Sequence, residues 1–286
     1  MDLQVHLKAL DHYQDFIPED QITVLRELWT LQDEVAPSVI WEPLDTKTVN
    51  EFTQKEVPLF SVLAEDAVKL DWFKDAFARI AAFVFNQTKQ AMPEALQNAL
   101  ASLEQEDLSK LLIDQDVLFS KLKDTLSDDQ GAIQAMALSL LLTTQAVSRA
   151  YARDMKEIDF KAFTFHHSNH CPVCGNAPSL AIIDAPIAYE GGKRFLYCSQ
   201  CETVWHYPRL ACAHCKQTDP EKLQYFYLPE DQAYRLHGCA HCGNVMPTLA
   251  REFVDHKLYS PRVEEVVCTL KTQAFEDQKK ISEFLQ

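Results

Sequence analysis

Four short runs decide how this chain is read: Cys171-Pro172-Val173-Cys174, Cys198-Ser199-Gln200-Cys201, Cys212-Ala213-His214-Cys215 and Cys239-Ala240-His241-Cys242. Residues 175–197 separate the first two and residues 216–238 the last two, so both gaps are 23 residues and the second quartet repeats the first at a shift of 41. A CxxC turn presents two sulfurs on one side of a tight loop, and two such loops at the ends of a hairpin complete a tetrahedral cage with metal–sulfur distances of about 2.3 Å. Gly175 and Gly243 follow the first and fourth pairs, where such a turn favours a left-handed residue. Within the gaps, the β-prone runs Leu180–Ile183, Phe195–Tyr197, Leu223–Leu228 and Tyr234–Leu236 are separated by turn material such as Glu190-Gly191-Gly192-Lys193 and Pro229-Glu230-Asp231. Each copy therefore predicts a small metal ribbon, one ligated by Cys171, Cys174, Cys198 and Cys201, the other by Cys212, Cys215, Cys239 and Cys242.

A ribbon of about 30 residues buries too little apolar surface to fold unaided, so the bound ion is expected to supply the missing free energy. Four exchangeable dithiols are the competing reading, but thioredoxin-like chemistry expects a CxxC entering a helix in a βαβ context, and none is visible. His170, His206, His214, His237 and His241 crowd the region, yet each ribbon already has four thiolates, so their expected place is around the site or at the surface. Arg194, Arg209, Lys216 and Arg235 are available to offset the surplus charge of a dication held by four thiolates, or are ordinary solvated cations. Cys268, at helical spacing among Val263, Val267 and Leu270, reads as a buried apolar residue of a closing helix that starts at Ser260-Pro261.

The rest of the 286 residues differs in kind. None of the nine cysteines precedes Cys171, and residues 1–150 hold 12 Lys and Arg against 25 Asp and Glu, which places −13 of the net −15 there. Apolar residues recur at helical spacing in Ile22, Leu25, Leu28 and Leu31, in Phe73, Phe77, Ile80 and Val84, and in Ile133, Met136, Leu140, Ala146 and Val147. Prolines fall between or at the starts of these segments. Trp29, Trp41, Trp72, Phe73, Phe77 and Phe83 are expected in the core, and the acidic run Asp114 to Asp129 on a solvated face. The predicted fold class is α plus small β: an acidic all-helical domain over 1–165, tandem rubredoxin-like or zinc-ribbon modules over 166–208 and 209–258, and a C-terminal helix over 259–286. The charge argues against a nucleic-acid partner, since neutralisation of phosphates by Lys and Arg supplies most non-specific affinity. Met1 to His6 has neither a basic segment nor an apolar core, so no secretory signal is expected and the thiols are placed in a reducing cytoplasm. The longest apolar stretch, Ala135 to Leu142, is far short of a bilayer span, so no integral membrane segment is expected.

The order and spacing of the four CxxC pairs, Gly175 and Gly243, and the flank Cys201-Glu202-Thr203-Val204-Trp205-His206 resemble the FdhE family of formate dehydrogenase accessory proteins. The resemblance covers most of residues 165–270 and is looser in the helical half. It implies cytoplasmic, non-enzymatic assistance in maturing a respiratory molybdenum formate dehydrogenase, with its catalytic subunit as partner before export. The eight cysteines carry over as metal positions resembling rubredoxin centres, and Trp205 and His206 only as part of the motif. Ligation by four cysteines alone leaves iron and zinc open. Rubredoxin-like electron transfer or thiol redox sensing is the alternative function.

Overall fold

The computed structural model describes residues 2–37, 46–62, 67–126, 129–155, 168–184, 192–228, 231–254 and 258–276. In chain order the helices are α1 (Leu3–His12), α2 (Glu19–Val35), α3 (Thr46–Gln54), α4 (Leu70–Gln87), α5 (Glu94–Ala101), α6 (Asp116–Lys123) and α7 (Gln130–Asp154). They are followed by strands β1 (Leu180–Ile183), β2 (Arg194–Tyr197), β3 (Val204–His206), β4 (Leu223–Leu228), β5 (Asp231–Cys239) and β6 (Val245–Ala250), and by α8 (Pro261–Glu276).

These elements form two compact units, one of Thr23–Pro43 and Leu59–Met155, the other of Met1–Ile22, Leu44–Pro58 and Lys156–Gln286. The segment 1–165, expected as one helical domain, thus contributes to both: α1 and α3 pack with the cysteine-bearing part. The reason for α1 is visible in its side chains. His6 donates or accepts through Nδ1 at 2.7 Å from Ser260 Oγ and lies 3.5 Å from Glu202, while Tyr13 reaches Glu264 of α8.

In the helical unit, α4 presents Phe73, Ala76, Phe77, Ile80 and Val84, all buried, and packs along α7. Each of the large side chains contributes about 1.5–3 kcal/mol by leaving water. Of the predicted line on α2, Ile22 is buried as expected, but Leu25, Leu28 and Leu31 are half-buried, and the buried face continues through Trp29, Gln32 and Val35 instead. The face is turned by a polar tie: Gln32 donates to the Leu142 carbonyl at 2.9 Å and accepts from Arg149 at 2.8 Å. Phe73 and Phe77 are buried as expected, Trp72 and Phe83 are half-buried, and Trp41 lies outside the described residues. The described acids of the acidic run, Asp114, Asp116, Asp124 and Asp129, are exposed.

By length and composition alone, helix α7 over Gln130–Arg153 would suffice to cross a bilayer. It packs instead as a core helix, with 67% of its most apolar window buried. Its buried hydroxyls are satisfied within the helix, Ser139 bonding the Ala135 carbonyl and Thr143 the Ser139 carbonyl, each at 2.7 Å.

In the other unit the six strands form one sheet in the order β3-β2-β1-β6-β5-β4. Each ribbon is an antiparallel three-strand meander, and a parallel pairing of β1 with β6 (Ala181 with Thr248, Ile183 with Ala250) joins them head to tail. The two modules therefore share a sheet instead of standing as separate beads. Helix α8 starts as predicted, with Pro261 in its first turn and Ser260 Oγ accepting the Val263 amide at 3.3 Å, and it is described to Glu276.

Glu264 of α8 is buried, accepting from Tyr13 at 2.7 Å and Tyr234 at 2.8 Å, with Lys271 and His12 nearby and the buried Cys268 also in range. Burial raises its carboxyl above the ordinary value of 4.5, and the two tyrosines and the cations offset this only in part. The folded state holds this proton more tightly than the unfolded chain, so stability falls as pH rises from 4.5 through the raised value. Glu264→Gln is expected to lack that fall, and the difference between variant and parent in denaturant midpoint across this pH window measures it.

Candidate metal centres

Four loops hold the predicted cysteines, and all four have the same backbone. The amide of the first cysteine donates to the carbonyl five residues on: Cys171 to Asn176, Cys198 to Thr203, Cys212 to Gln217 and Cys239 to Asn244, at 2.8–3.0 Å. The residue after the second cysteine returns its amide to the first cysteine's carbonyl, from Gly175, Glu202, Lys216 and Gly243, at 2.8–3.0 Å. That residue is left-handed each time, with φ of 81°, 63°, 62° and 71°. Glycine marks only two of these turns. At the others, an L residue sits in a disfavoured conformation with its side chain tied elsewhere: Glu202 to His6 and to Arg262 at 3.4 Å, Lys216 to Glu56 at 2.9 Å.

Gly175 also meets Pro58. A Cβ there would lie 2.7 Å from Pro58 Cγ, whereas one on Gly243 would meet nothing within 4 Å. Both substitutions by alanine carry the left-handed penalty of about 1 kcal/mol, and Gly175→Ala adds overpacking of about 1–3 kcal/mol. Gly175→Ala is thus expected to lower the melting temperature clearly more than Gly243→Ala, as differential scanning calorimetry would show.

The loops bring the sulfurs together in two quartets, each drawn from one copy of the repeat, with all ligand atoms of a quartet within 4.8 Å of one another. Cys171 and Cys201 sulfurs are 3.4 Å apart and those of Cys174 and Cys198 3.5 Å; in the second quartet Cys212–Cys242 is 3.8 Å and Cys215–Cys239 is 3.7 Å. A disulfide would need about 2.0 Å, and every cysteine is free. Four sulfurs about 2.3 Å from one ion lie about 3.8 Å apart, so the second quartet matches a tetrahedral edge and the first is slightly contracted. Amides and hydroxyls point at the sulfurs: Asn176 at Cys174, Thr203 at Cys201, the His214 amide at Cys212 and Asn244 at Cys242.

Proton chemistry fits the same cage. Burial pushes the thiols of Cys171 and Cys201 well up, while hydrogen bonds from Cys171 and its neighbours draw Cys174 well down. In the second quartet burial pushes Cys212 up to about 12. At Cys242 burial works against ionisation, but Asn244's side chain and amide together with Cys215 and Cys212 outweigh it and bring the thiol to about 7. Packed thiols alone cannot all lose their protons, and a soft dication at the centre removes that conflict. A four-thiolate tetrahedron suits zinc or iron, and both quartets have the ligand type, number and spacing for it.

None of the five histidines joins a quartet. His206 packs edge-on against Phe195, and His237 stacks on Tyr225 at 4.5 Å, where burial and then Arg194 bring it to about 3. Of the four predicted cations, only Arg194 has a buried setting near a centre. It donates to the Ala211 carbonyl, next to Cys212, at 2.7 Å, and its Nε and second Nη have no hydrogen-bond partner among the described residues. Burial lowers the pKa of this guanidinium, and Tyr225, Tyr207 and then Cys212 offset that only in part. Lys216 pairs with Glu56, Arg235 lies 3.9 Å from Glu252, and Arg209 is exposed. Cys268 is buried on α8, as predicted.

Residues 170–209, which contain the first quartet and the segment through His206, match the family described as FdhE, central domain. Over this segment the chain is thus similar to the FdhE family. Among its relatives, Protein FdhE of Escherichia coli O1:K1 is 36% identical over 98 residues, 34% of this chain and 28% of that protein. A Protein FdhE homolog of Yersinia enterocolitica is 25% identical over 181 residues, 62% of this chain and 54% of the relative. The matched stretch thus spans about half or less of these FdhE proteins. The crystal structure of the FdhE protein from Pseudomonas aeruginosa superposes with a TM-score of 0.55 over 98% of this chain and 90% of that one, at 19% identity, which establishes a shared fold.

Proposed function

We propose that this chain is a non-catalytic assembly factor of the cytoplasm that serves formation of a respiratory molybdenum formate dehydrogenase, binding its catalytic subunit before export. The two quartets would each hold one iron or zinc ion, Cys171, Cys174, Cys198 and Cys201 the first, Cys212, Cys215, Cys239 and Cys242 the second. The ions supply folding free energy, and the chain's own strands and helices supply the binding surface. The observation that carries this reading is the duplicated four-cysteine ribbon, whose first copy and Cys-Glu-Thr-Val-Trp-His flank lie inside the FdhE-matching residues 170–209. Affinity capture from formate-grown cells is expected to recover the catalytic subunit, and deletion to abolish formate oxidation by the membrane fraction. Capture without that subunit, together with undiminished oxidation, would remove the proposal.

The half-exposed Cys215 and Cys242 favour a second reading, in which the second centre holds iron and exchanges electrons. A colourless, zinc-loaded protein with no redox-active thiols in an anaerobic titration excludes it.

A further inference from the structure

The head-to-tail joint between the ribbons leaves the two copies unequal. Tyr197 and Gly238, each directly before the CxxC of its return strand, pair with Leu180 and Gln224, so Ala181 and Ile183 of β1 correspond to Tyr225 and Tyr227 of β4. The outer side of β1 is taken by β6, a parallel strand, whereas β4 ends the sheet among the described residues. Among the described elements, β4 packs substantially only on β5 and the short turn Pro220–Lys222.

The backbone of β4 is set for the same pairing. The bonds Asp184 N to Lys193 O and Ala240 N to Lys222 O, both 2.9 Å, mark bonded pairs in the two hairpins. Alternation along an antiparallel ladder then turns the amides and carbonyls of Ala181 and Ile183 toward β6, and those of Tyr225 and Tyr227 toward the open edge. Pro247, which has no N–H to give, stands opposite Leu236 at a position this alternation leaves unbonded to β5, in agreement. The run Leu-Gln-Tyr-Phe-Tyr-Leu contains neither proline nor charge, and its one irregularity falls after Tyr227. Natural edge strands are normally blunted by one of those devices. Tyr227 is 51% exposed, and Arg235 lies between its ring at 5.0 Å and the half-exposed Phe253 at 5.8 Å, a ledge beside the edge.

We propose that the β4 edge binds an extended segment of a partner polypeptide as a seventh, parallel strand, and that this segment carries Lys or Arg at its ends. Charge selects the occupant. Asp219 and Glu221 precede β4, Glu230 and Asp231 follow it in the sequence, and Lys222 is the one cation within these flanks, with Asp231 already paired to Lys271 of α8. Two copies meeting antiparallel through β4 would set the acids at one end against those at the other. Continuing the head-to-tail array would offer β3, which is three residues long, where β6 supplies six. That the segment belongs to the protein under assembly rests on the function proposed above.

The test uses the full metal-loaded chain and a synthetic peptide, the β6 sequence Val-Met-Pro-Thr-Leu-Ala with a lysine added at each end. Wild type is expected to bind it at least about tenfold more tightly than the same peptide ended by glutamates, with amide shifts at Leu223 to Tyr227 in NMR spectra. Tyr227→Pro removes an outward donor without touching the β5 ladder, and is expected to weaken binding about tenfold or more at unchanged metal content. Tyr227→Lys, which keeps the backbone intact, should weaken the lysine-ended peptide as well. Equal binding by all three proteins, no binding by wild type, or dimers in sedimentation that Tyr227→Pro dissolves would overturn the inference. Capture of the catalytic subunit unaffected by Tyr227→Pro sinks the edge and spares the assembly role; peptide binding without any such capture does the reverse.

Discussion

Cys201→Ser is expected to cost the purified protein one of two metal equivalents and to shift Trp205 emission to the red. The serine hydroxyl is a poor ligand for a soft ion, and the three remaining thiols are buried with nothing to neutralise them. A structural tetrathiolate site is worth on the order of 10 kcal/mol at neutral pH, comparable with the whole stability of an ordinary domain. Strands β1 and β2 have four residues each and β3 three, so little else holds this ribbon together. Trp205, in the centre of β3, is fully buried and donates to the Ser168 carbonyl at 3.3 Å, which makes it the reporter of that loss. Melting of β1 also deprives β6 of its parallel partner, so the damage reaches the second ribbon. Cys268→Ala, a substitution at a buried cysteine outside both quartets, should keep both equivalents. Elemental analysis with fluorescence decides the matter: two equivalents and unshifted emission in Cys201→Ser would show that the first quartet is not a metal centre.

Much of the cysteine-bearing half was legible because its constraints are local. The 23-residue gaps place the turns, and runs such as Leu180–Ile183 and Leu223–Leu228 carry β-prone side chains through their whole length, so they match the strands residue for residue. β3 and β6 went unread for a physical reason: three residues give no alternation to detect, and Pro247 argues against a strand unless one knows that its missing N–H faces an unbonded position. The joint between the copies is non-local, fixed by which edges meet after both hairpins form. Glu202 and Lys216 hid their left-handed turns because no glycine announces them; only their fifth-residue hydrogen bonds reveal the shared loop. In the helical unit, the line of leucines on α2 lost to Trp29 and to the Gln32–Arg149 tie, since a buried hydrogen-bonded pair can override apolar periodicity. α1 was missed because its purpose lies more than 200 residues away, at Ser260 and Glu264.

The two centres should part company when challenged with a chelator. All four cysteines of the first quartet are buried, while Cys215 and Cys242 of the second are half-exposed. A chelator must reach the ion or a sulfur before any bond breaks, so the second ion is expected to leave first, by about tenfold or more in rate, and the first only as the ribbon opens. Release followed with a chromogenic chelator should show two phases of one equivalent each, and Cys242→Ser should delete the fast phase alone. Arg194 sharpens the consequence. With the second ion bound, the thiolates beside its guanidinium balance a buried charge; once they regain protons, that charge stays buried with two nitrogens lacking a hydrogen-bond partner among the described residues. Loss of the second ion should therefore destabilise the strands around Arg194, and Arg194→Met should reduce the drop in melting temperature that accompanies the fast phase. A single phase of two equivalents, or an unchanged drop in Arg194→Met, would mean that the sheet couples the centres more strongly than their unequal exposure separates them.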